Sequence, residues 1–219
     1  MLSKIKKAIK STVFYNLLWK MWMLLALWEW YLRGKPDPPP PPVKQNTVKE
    51  YAARFNLSTL IETGTYLGDM IRATGNCFNR IFSIELNETL YEKAKKKFSK
   101  FSHIQIINGD SGRILPDLLR SISQPCLFWL DAHEGNKDTP VTMEIKSIFS
   151  HSASGHVILI DDARFFVGRN NYPAIEELKE FVRDHRPDRV MEIKHDIIRI
   201  HPALQDTGAT PRSGVHGTK

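Results

Sequence analysis

Residues 59–68 read Thr-Leu-Ile-Glu-Thr-Gly-Thr-Tyr-Leu-Gly: an apolar run of strand length, an acid at its end, then a bend carrying two glycines. The run itself is Thr59–Glu62, and similar ones recur at Arg80–Glu85, Ile104–Asn108, Cys126–Asp131 and Val157–Asp161. Each is short and continuously apolar, as a strand covered on both faces must be. Helical patterns fill the gaps, at about Gly68–Phe78, Glu88–Phe98, Arg113–Ile122, Pro140–Ser150 and Pro173–Asp184. Asn87 stands where an N-cap is wanted, and Pro140 and Pro173 suit first helical positions. Two strands in immediate succession, Arg189–Lys194 and Ile197–His201, joined by a tight turn at His195-Asp196, end the pattern. Five β-α units closed by a hairpin predict an α/β fold, a doubly wound, mostly parallel, Rossmann-like sheet with a C-terminal antiparallel hairpin. Ligands of such a sheet bind beyond the carboxyl ends of its strands.

Outward from this body the chain changes character. Thr47-Val48-Lys49-Glu50 reads as a capping box opening a short helix through Arg54. Before it, residues 36–43 are mostly proline and predict a stiff polyproline II spacer. Residues 1–35 predict an N-terminal helix that opens with Lys4, Lys6, Lys7 and Lys10 and carries Trp19, Trp22, Trp28 and Trp30. Asn16, Lys20 and Glu29 interrupt its apolar run, which argues against a bilayer span, and no small-residue cleavage site follows it. We read it as an amphipathic helix lying in a membrane interface, where indole rings and lysines favour the headgroup boundary. A helix packed on the body or on a partner, and a short tilted span, are the alternatives. Residues 203–219 lack periodicity and read as a disordered tail, which leaves 44–202 as the folded body.

The 219 residues carry a net charge of +7, and its distribution matters more than its size. Residues 1–35 hold seven Lys/Arg against one Glu, a net of +6, whereas 44–202 hold 22 basic and 21 acidic side chains. The body is nearly neutral, which excludes a basic nucleic-acid groove on it. Two cysteines in unrelated contexts form neither a disulfide framework nor a zinc site, so a reducing, cytoplasmic setting is expected, peripheral at the inner face of the membrane if the helix anchors there.

The polar residues collect at the predicted strand ends: Glu62, Glu85, Asp110, Asp131, and Asp161 with Asp162. Five acidic termini out of five call for a cation, either a positively charged ligand or a metal. Gly64 lets the backbone come close to a ligand, though Glu62-Thr63-Gly64-Thr65-Tyr66-Leu67-Gly68 is not the G-x-G-x-x-G of dinucleotide enzymes. Glu85 ends the second strand, where an acid can accept both ribose hydroxyls of an adenosine. Asp131, Asp161 and Asp162 converge if the sheet is parallel, and hard oxygens in that number favour Mg²⁺. His133, two residues beyond Asp131, has the side chain for a general base at neutral pH. Arg164 suits either an anionic substrate or an ion pair with one of these acids.

The order ETGTYLG (62–68), FSIE (82–85), NGDS (108–111), WLDAH (129–133) and ILIDDAR (158–164) resembles the class I S-adenosylmethionine-dependent methyltransferases, over about Thr47 to His201. The resemblance implies that Glu62, Gly64, Thr65 and Gly68 form the methionine-side loop and that Glu85 holds the ribose. It further implies that Asp110 and Ser111 border the adenine, with Asp131 beside the cofactor. The acid after the fourth strand and the acid pair after the fifth are similar to the metal ligands of macrocin-type and catechol-type O-methyltransferases. That likeness implies S-adenosylmethionine and possibly Mg²⁺ as cofactors, Asp131 and His133 as the catalytic pair, and a hydroxylated small molecule or glycan as substrate. Two rivals remain: a membrane-tethered scaffold that keeps the fold without turnover, and a nicotinamide oxidoreductase, which lacks its glycine fingerprint here.

Overall fold

The computed structural model describes residues 13–132 and 139–203. Two helices, Val13–Leu32 (α1) and Pro41–Arg54 (α2), lead into strand Thr59–Thr63 (β1) and the short helix Asp69–Thr74 (α3). Then follow Arg80–Glu85 (β2), Glu88–Phe98 (α4), Ile104–Asn108 (β3), Ser111–Arg120 (α5), Leu127–Leu130 (β4), Val141–Phe149 (α6) and Val157–Ile160 (β5). Ile175–His185 (α7) and the hairpin Arg189–Lys194 (β6) and Ile197–Pro202 (β7) complete the described chain. The strands form one seven-stranded sheet in the order β3-β2-β1-β4-β5-β7-β6, parallel from β3 to β5, with β7 antiparallel to both of its neighbours.

Alternation along the central strands divides the core in two. Ile61, Phe128, Leu130, Ile158 and Ile160 face Leu115, Ile145, Leu178 and Val182 of α5, α6 and α7. Their neighbours Leu60, Leu127, Trp129, Val157 and Leu159 face Val48, Tyr51, Ile71, Ala94 and Phe98 of α2, α3 and α4. Burial of such a side chain stabilises the fold by about 1.5–3 kcal/mol, so both faces are fastened and the strand ends are left to position polar groups. The chain runs outward from β1 to β3 and returns to start again at β4. The strand order therefore reverses between β1 and β4, which opens a crevice above their carboxyl ends.

Several boundaries differ from the sequence reading. The helix expected at Thr47 begins at Pro41, with Pro40 extended ahead of it. Thr47 is not a cap: its buried hydroxyl donates to Val43 O at 2.9 Å, a bond inside the helix. Prolines 41 and 42 thus belong to α2, not to a polyproline spacer, because the first turn of a helix does not need their missing N–H groups. Pro140 caps α6 from outside, and α7 starts at Ile175, two residues after Pro173. Asn87 does cap α4, accepting from Leu90 N at 3.1 Å.

Helix α1 touches the body at its C-terminal end. Trp30 is buried, its indole Nε1 donates to Pro36 O at 2.8 Å, and its ring meets His195 edge-on at 4.9 Å. Leu18, Met21, Trp22, Leu24, Leu25 and Trp28 stay exposed, so the helix is apolar outward as well as inward and lacks the two-sided pattern of an amphipathic helix. Among the described residues no helix is long and apolar enough to cross a membrane. The early lysines and the expected tail from 204 onward lie outside the described residues.

Candidate active site

The β1–α3 bend comes so close to the end of β4 that no side chain fits between them. Gly64 has φ +88°, and a Cβ there would stand 2.4 Å from Asp131 O. Its N–H donates to Ile84 O at 2.9 Å, and Asp131 N donates to Thr63 O at 3.0 Å, which fixes the approach. A cleft of about 560 Å³ opens above this point, within the size range of small-molecule sites. Gly64, Tyr66, Glu85, Asp110, Ser111 and Asp131 supply its polar wall; Ile84, Leu86, Leu90 and Met143 supply the apolar one. A more open depression of about 510 Å³ around Arg120, Lys146 and His151 contains none of the strand-end acids.

Not every residue predicted for the site reaches the cleft. Glu62 and Thr65 lie behind its wall, buried and bonded through one serine: the Ser83 hydroxyl donates to Glu62 Oε2, and the Thr65 and Ser83 hydroxyls are 2.6 Å apart. Burial pushes the Glu62 carboxyl up to about 8, partly offset by the Ser83 hydrogen bond, so the group is mostly protonated at neutral pH. Gly68 has φ +68° and its missing Cβ makes room for the Phe98 ring, 2.5 Å from where that carbon would sit. Its glycine serves the packing of α3 on α4. Glu85 does face the cleft. Its Oε2 accepts from Tyr66 N at 2.7 Å and its Oε1 from Asn87 N at 2.9 Å, which orients both oxygens and leaves lone pairs for a ligand's hydroxyls. Asp110 caps α5 by accepting from Gly112 N at 2.9 Å, with Ser111 beside it.

Around the β4 and β5 ends the geometry is ionic. Ligand oxygens of Asp131, Asp161 and Asp162 lie within 4.8 Å of one another. Lys44, on the first turns of α2, places Nζ 2.5 Å from Asp161 Oδ2 and 3.5 Å from Asp162 Oδ1. Burial works against the Lys44 ammonium, but Asp161 and then Asp162 outweigh it and hold the lysine above its ordinary value. Burial likewise pushes the Asp161 carboxyl up while Lys44 pulls it back, and the short contact is that of a charged pair. Asp162 takes a left-handed backbone, φ 58°, that a non-glycine residue adopts only at a cost. Arg164 Nη1 donates to Asp162 Oδ1 at 2.7 Å and also pairs with Asp196, so of the two roles open to it the ion pair is the one present.

Hard oxygens at this spacing, with an ammonium already lodged on two of them, fit a hard divalent cation. The Gly64 approach, the cleft and the oriented Glu85 fit an adenosyl cofactor. His133 lies outside the described residues. Sequence reasoning missed Lys44 and Asp196. The first contacts its acids across more than a hundred residues and left no local mark. The second had one: His195 and Asp196 both take positive φ in a two-residue turn where Asn-Gly is usual.

No protein-family model matches the chain, and no curated protein is similar to it in sequence. Solved structures are similar in fold. The O-methyltransferase TomG of Streptomyces achromogenes, involved in tomaymycin synthesis and solved with S-adenosylmethionine, is 16% identical, with a TM-score of 0.57 over 82% of this chain and 88% of that one. A methyltransferase of Podospora anserina bound to S-adenosylhomocysteine is 17% identical, with a TM-score of 0.58 over 83% of this chain and 88% of that one. MycE, a methyltransferase of the mycinamycin pathway solved with Mg and S-adenosylhomocysteine, is 14% identical, with a TM-score of 0.51 over 77% of this chain and 53% of that one. The chain has the fold these S-adenosylmethionine-dependent methyltransferases share.

Proposed function

We propose that this chain is an S-adenosylmethionine-dependent methyltransferase that methylates an oxygen of a hydroxylated small molecule or glycan. The observation that carries the reading is the cleft at the strand reversal, with Gly64 pressed against the Asp131 carbonyl on one side and the oriented Glu85 carboxylate on the other. S-adenosylmethionine, which these residues would hold, would supply a methyl group on positively charged sulfur for transfer to the acceptor oxygen, the C–S electron pair staying on sulfur. Glu85 accepts the ribose hydroxyls, and Ile84, Leu86, Leu90 and Met143 offer the adenine an apolar slot bordered by Asp110 and Ser111. Asp131 contributes negative charge on the sulfonium side. His133 is the group to which we assign the acceptor's proton. Asp131, Asp161 and Asp162 would hold Mg²⁺, which would lower the pKa of the acceptor hydroxyl. Positioning supplies most of the acceleration in such a transfer.

Although helix α1 is not two-sided, its exposed apolar Trp22, Leu24, Leu25 and Trp28, together with the lysines upstream in the sequence, support a peripheral membrane contact through indole burial and attraction to anionic lipid. Deleting residues 1–35 is expected to release the protein from anionic vesicles in a sedimentation assay, and unchanged binding would refute the contact. One observation favours the non-catalytic scaffold as a second reading: Lys44 and Arg164 already sit on the acid pair. A scaffold would bind cofactor with no dependence on metal.

Calorimetry on the full chain decides the main reading. Binding of S-adenosylhomocysteine in the micromolar range, about −8 kcal/mol at 1 μM, is expected, with no response to NADH. Absence of heat at millimolar S-adenosylhomocysteine would end it.

A further inference from the structure

Lys44 is an unusual neighbour for a metal site. The Asp161 side chain is 2% exposed and that of Asp162 9%, and the cation on Asp161, also within 3.5 Å of Asp162, comes from α2. Helix α2 is fixed independently of the acids, through Val48, Tyr51 and Ala52 in the core, so Lys44 is delivered to the pair by the fold. Asp162 is held in place by Arg164, which shares Oδ1 with Lys44 and which Asp196 anchors through both its carboxylate oxygens: Oδ1 accepts from Arg164 N at 2.8 Å and Oδ2 pairs with the guanidinium. The acid pair is therefore a fixed receptor, and Lys44 is its exchangeable member. Its side chain is 20% exposed and ends a flexible four-carbon stem that swings aside by rotamer change alone.

An ammonium 2.5 Å from Asp161 Oδ2 occupies the space a divalent cation would need to reach that oxygen, and two cations so close repel strongly in a half-buried site. We infer that Lys44 is a built-in counter-ion of the Asp131–Asp161–Asp162 cluster and competes directly with a divalent metal, which binds only when the lysine has left Asp161. The inference rests on the reading of these carboxylates as a cation site. It gives the cluster two states: a resting one closed by the protein's own charge, and a loaded one in which Lys44 has left the acids.

The test is Mn²⁺ binding to the full-length protein, followed by the electron paramagnetic resonance signal of free Mn²⁺, with Mg²⁺ as competitor. Lys44→Met is expected to lower the Mn²⁺ dissociation constant by about tenfold or more, since removing an adjacent charge removes its repulsion of the metal. Lys44→Gln, which keeps a hydrogen-bond donor on Asp161 without the charge, should tighten binding in the same direction and covers a misfolded Met variant. Circular dichroism on the same samples reports that each is folded. Equal or weaker binding in both Lys44 variants, with Asp161→Asn still abolishing it, overturns the role of Lys44 and leaves the metal site standing. No binding to any variant at millimolar Mn²⁺ overturns both.

Discussion

The two halves of the acidic rim neutralise their charge by different means. On the β1–β2–β3 side the carboxyl groups meet mainly hydrogen-bond donors without formal charge: Glu85 accepts two backbone N–H groups, Glu62 accepts the Ser83 hydroxyl, and Asp110 accepts Gly112 N, with the exposed Arg113 guanidinium 3.6 Å from it the one full cation among the described residues. On the β4–β5 side Asp161 and Asp162 meet full cations, Lys44 and Arg164. Backbone donors are rigid and leave carboxylate lone pairs open, so the first half is prepared for the hydroxyls of a neutral ribose. Ion pairs satisfy charge with charge, so the second half exchanges one cation for another. One row of strand-end acids thus serves two chemistries, and what separates them is the partner each acid has inside the chain.

The comparison breaks most visibly at Gly64. A valine there would press a Cβ toward Asp131 O at 2.4 Å with φ held at +88°, and we expect S-adenosylhomocysteine affinity to fall at least about a hundredfold by calorimetry. Affinity within a factor of a few of the parent would mean that the first half is not the cofactor wall. Glu85→Ala comes next, at about tenfold to hundredfold weaker binding, since it loses two charge-assisted hydrogen bonds. Glu85→Gln, which keeps one acceptor, should fall between that variant and the parent.

Glu62 sharpens the contrast through pH. Its folded pKa, about 8, lies above the unfolded 4.5, so the folded state binds the extra proton and the stability it contributes is lost as pH rises from 4.5 toward 8. His156 works the opposite way: burial lowers it from 6.5 to about 4, so its contribution is lost as pH falls below 6.5. Between pH 7 and 8, above most of the histidine's titration, urea denaturation should show about 1 kcal/mol less stability per pH unit, and Glu62→Gln should flatten that slope. The smallest effect belongs to Arg164→Ala. Discounted for its partly exposed side chain, the loss is about 1 kcal/mol of stability, with S-adenosylhomocysteine affinity changed less than about twofold. A large affinity loss would mean that the two halves are not separate.

The central strands were legible because parallel strands buried on both faces leave no polar alternation to confuse, and β2 and even the partly exposed edge strand β3 begin and end where the apolar runs do. The cap at Asn87 was legible because its chemistry is local. Thr47 misled for the same reason, since a Thr-x-x-Glu pattern inside a helix is indistinguishable by sequence from one that opens it, and proline before it hid the true start. Gly68 reads by sequence as part of the cofactor loop, yet in the structure its missing Cβ makes room for Phe98, thirty residues on, a contact that no local rule contains. The acids of the site could be read from their strand ends, and Arg164 beside them as a possible ion-pair partner; Lys44 and the Asp196 that anchors Arg164 could not, because the first arrives from another element and the second from a hairpin turn.

The most direct test is a crystal structure of the full chain with S-adenosylhomocysteine. The account predicts the ligand in the cleft above β1 and β2, its ribose hydroxyls on Glu85 and its backbone-hugging end against Gly64, with Lys44 still on Asp161 when no metal is added. Ligand bound elsewhere, or a Glu85 carboxylate turned away from the ribose, would contradict it.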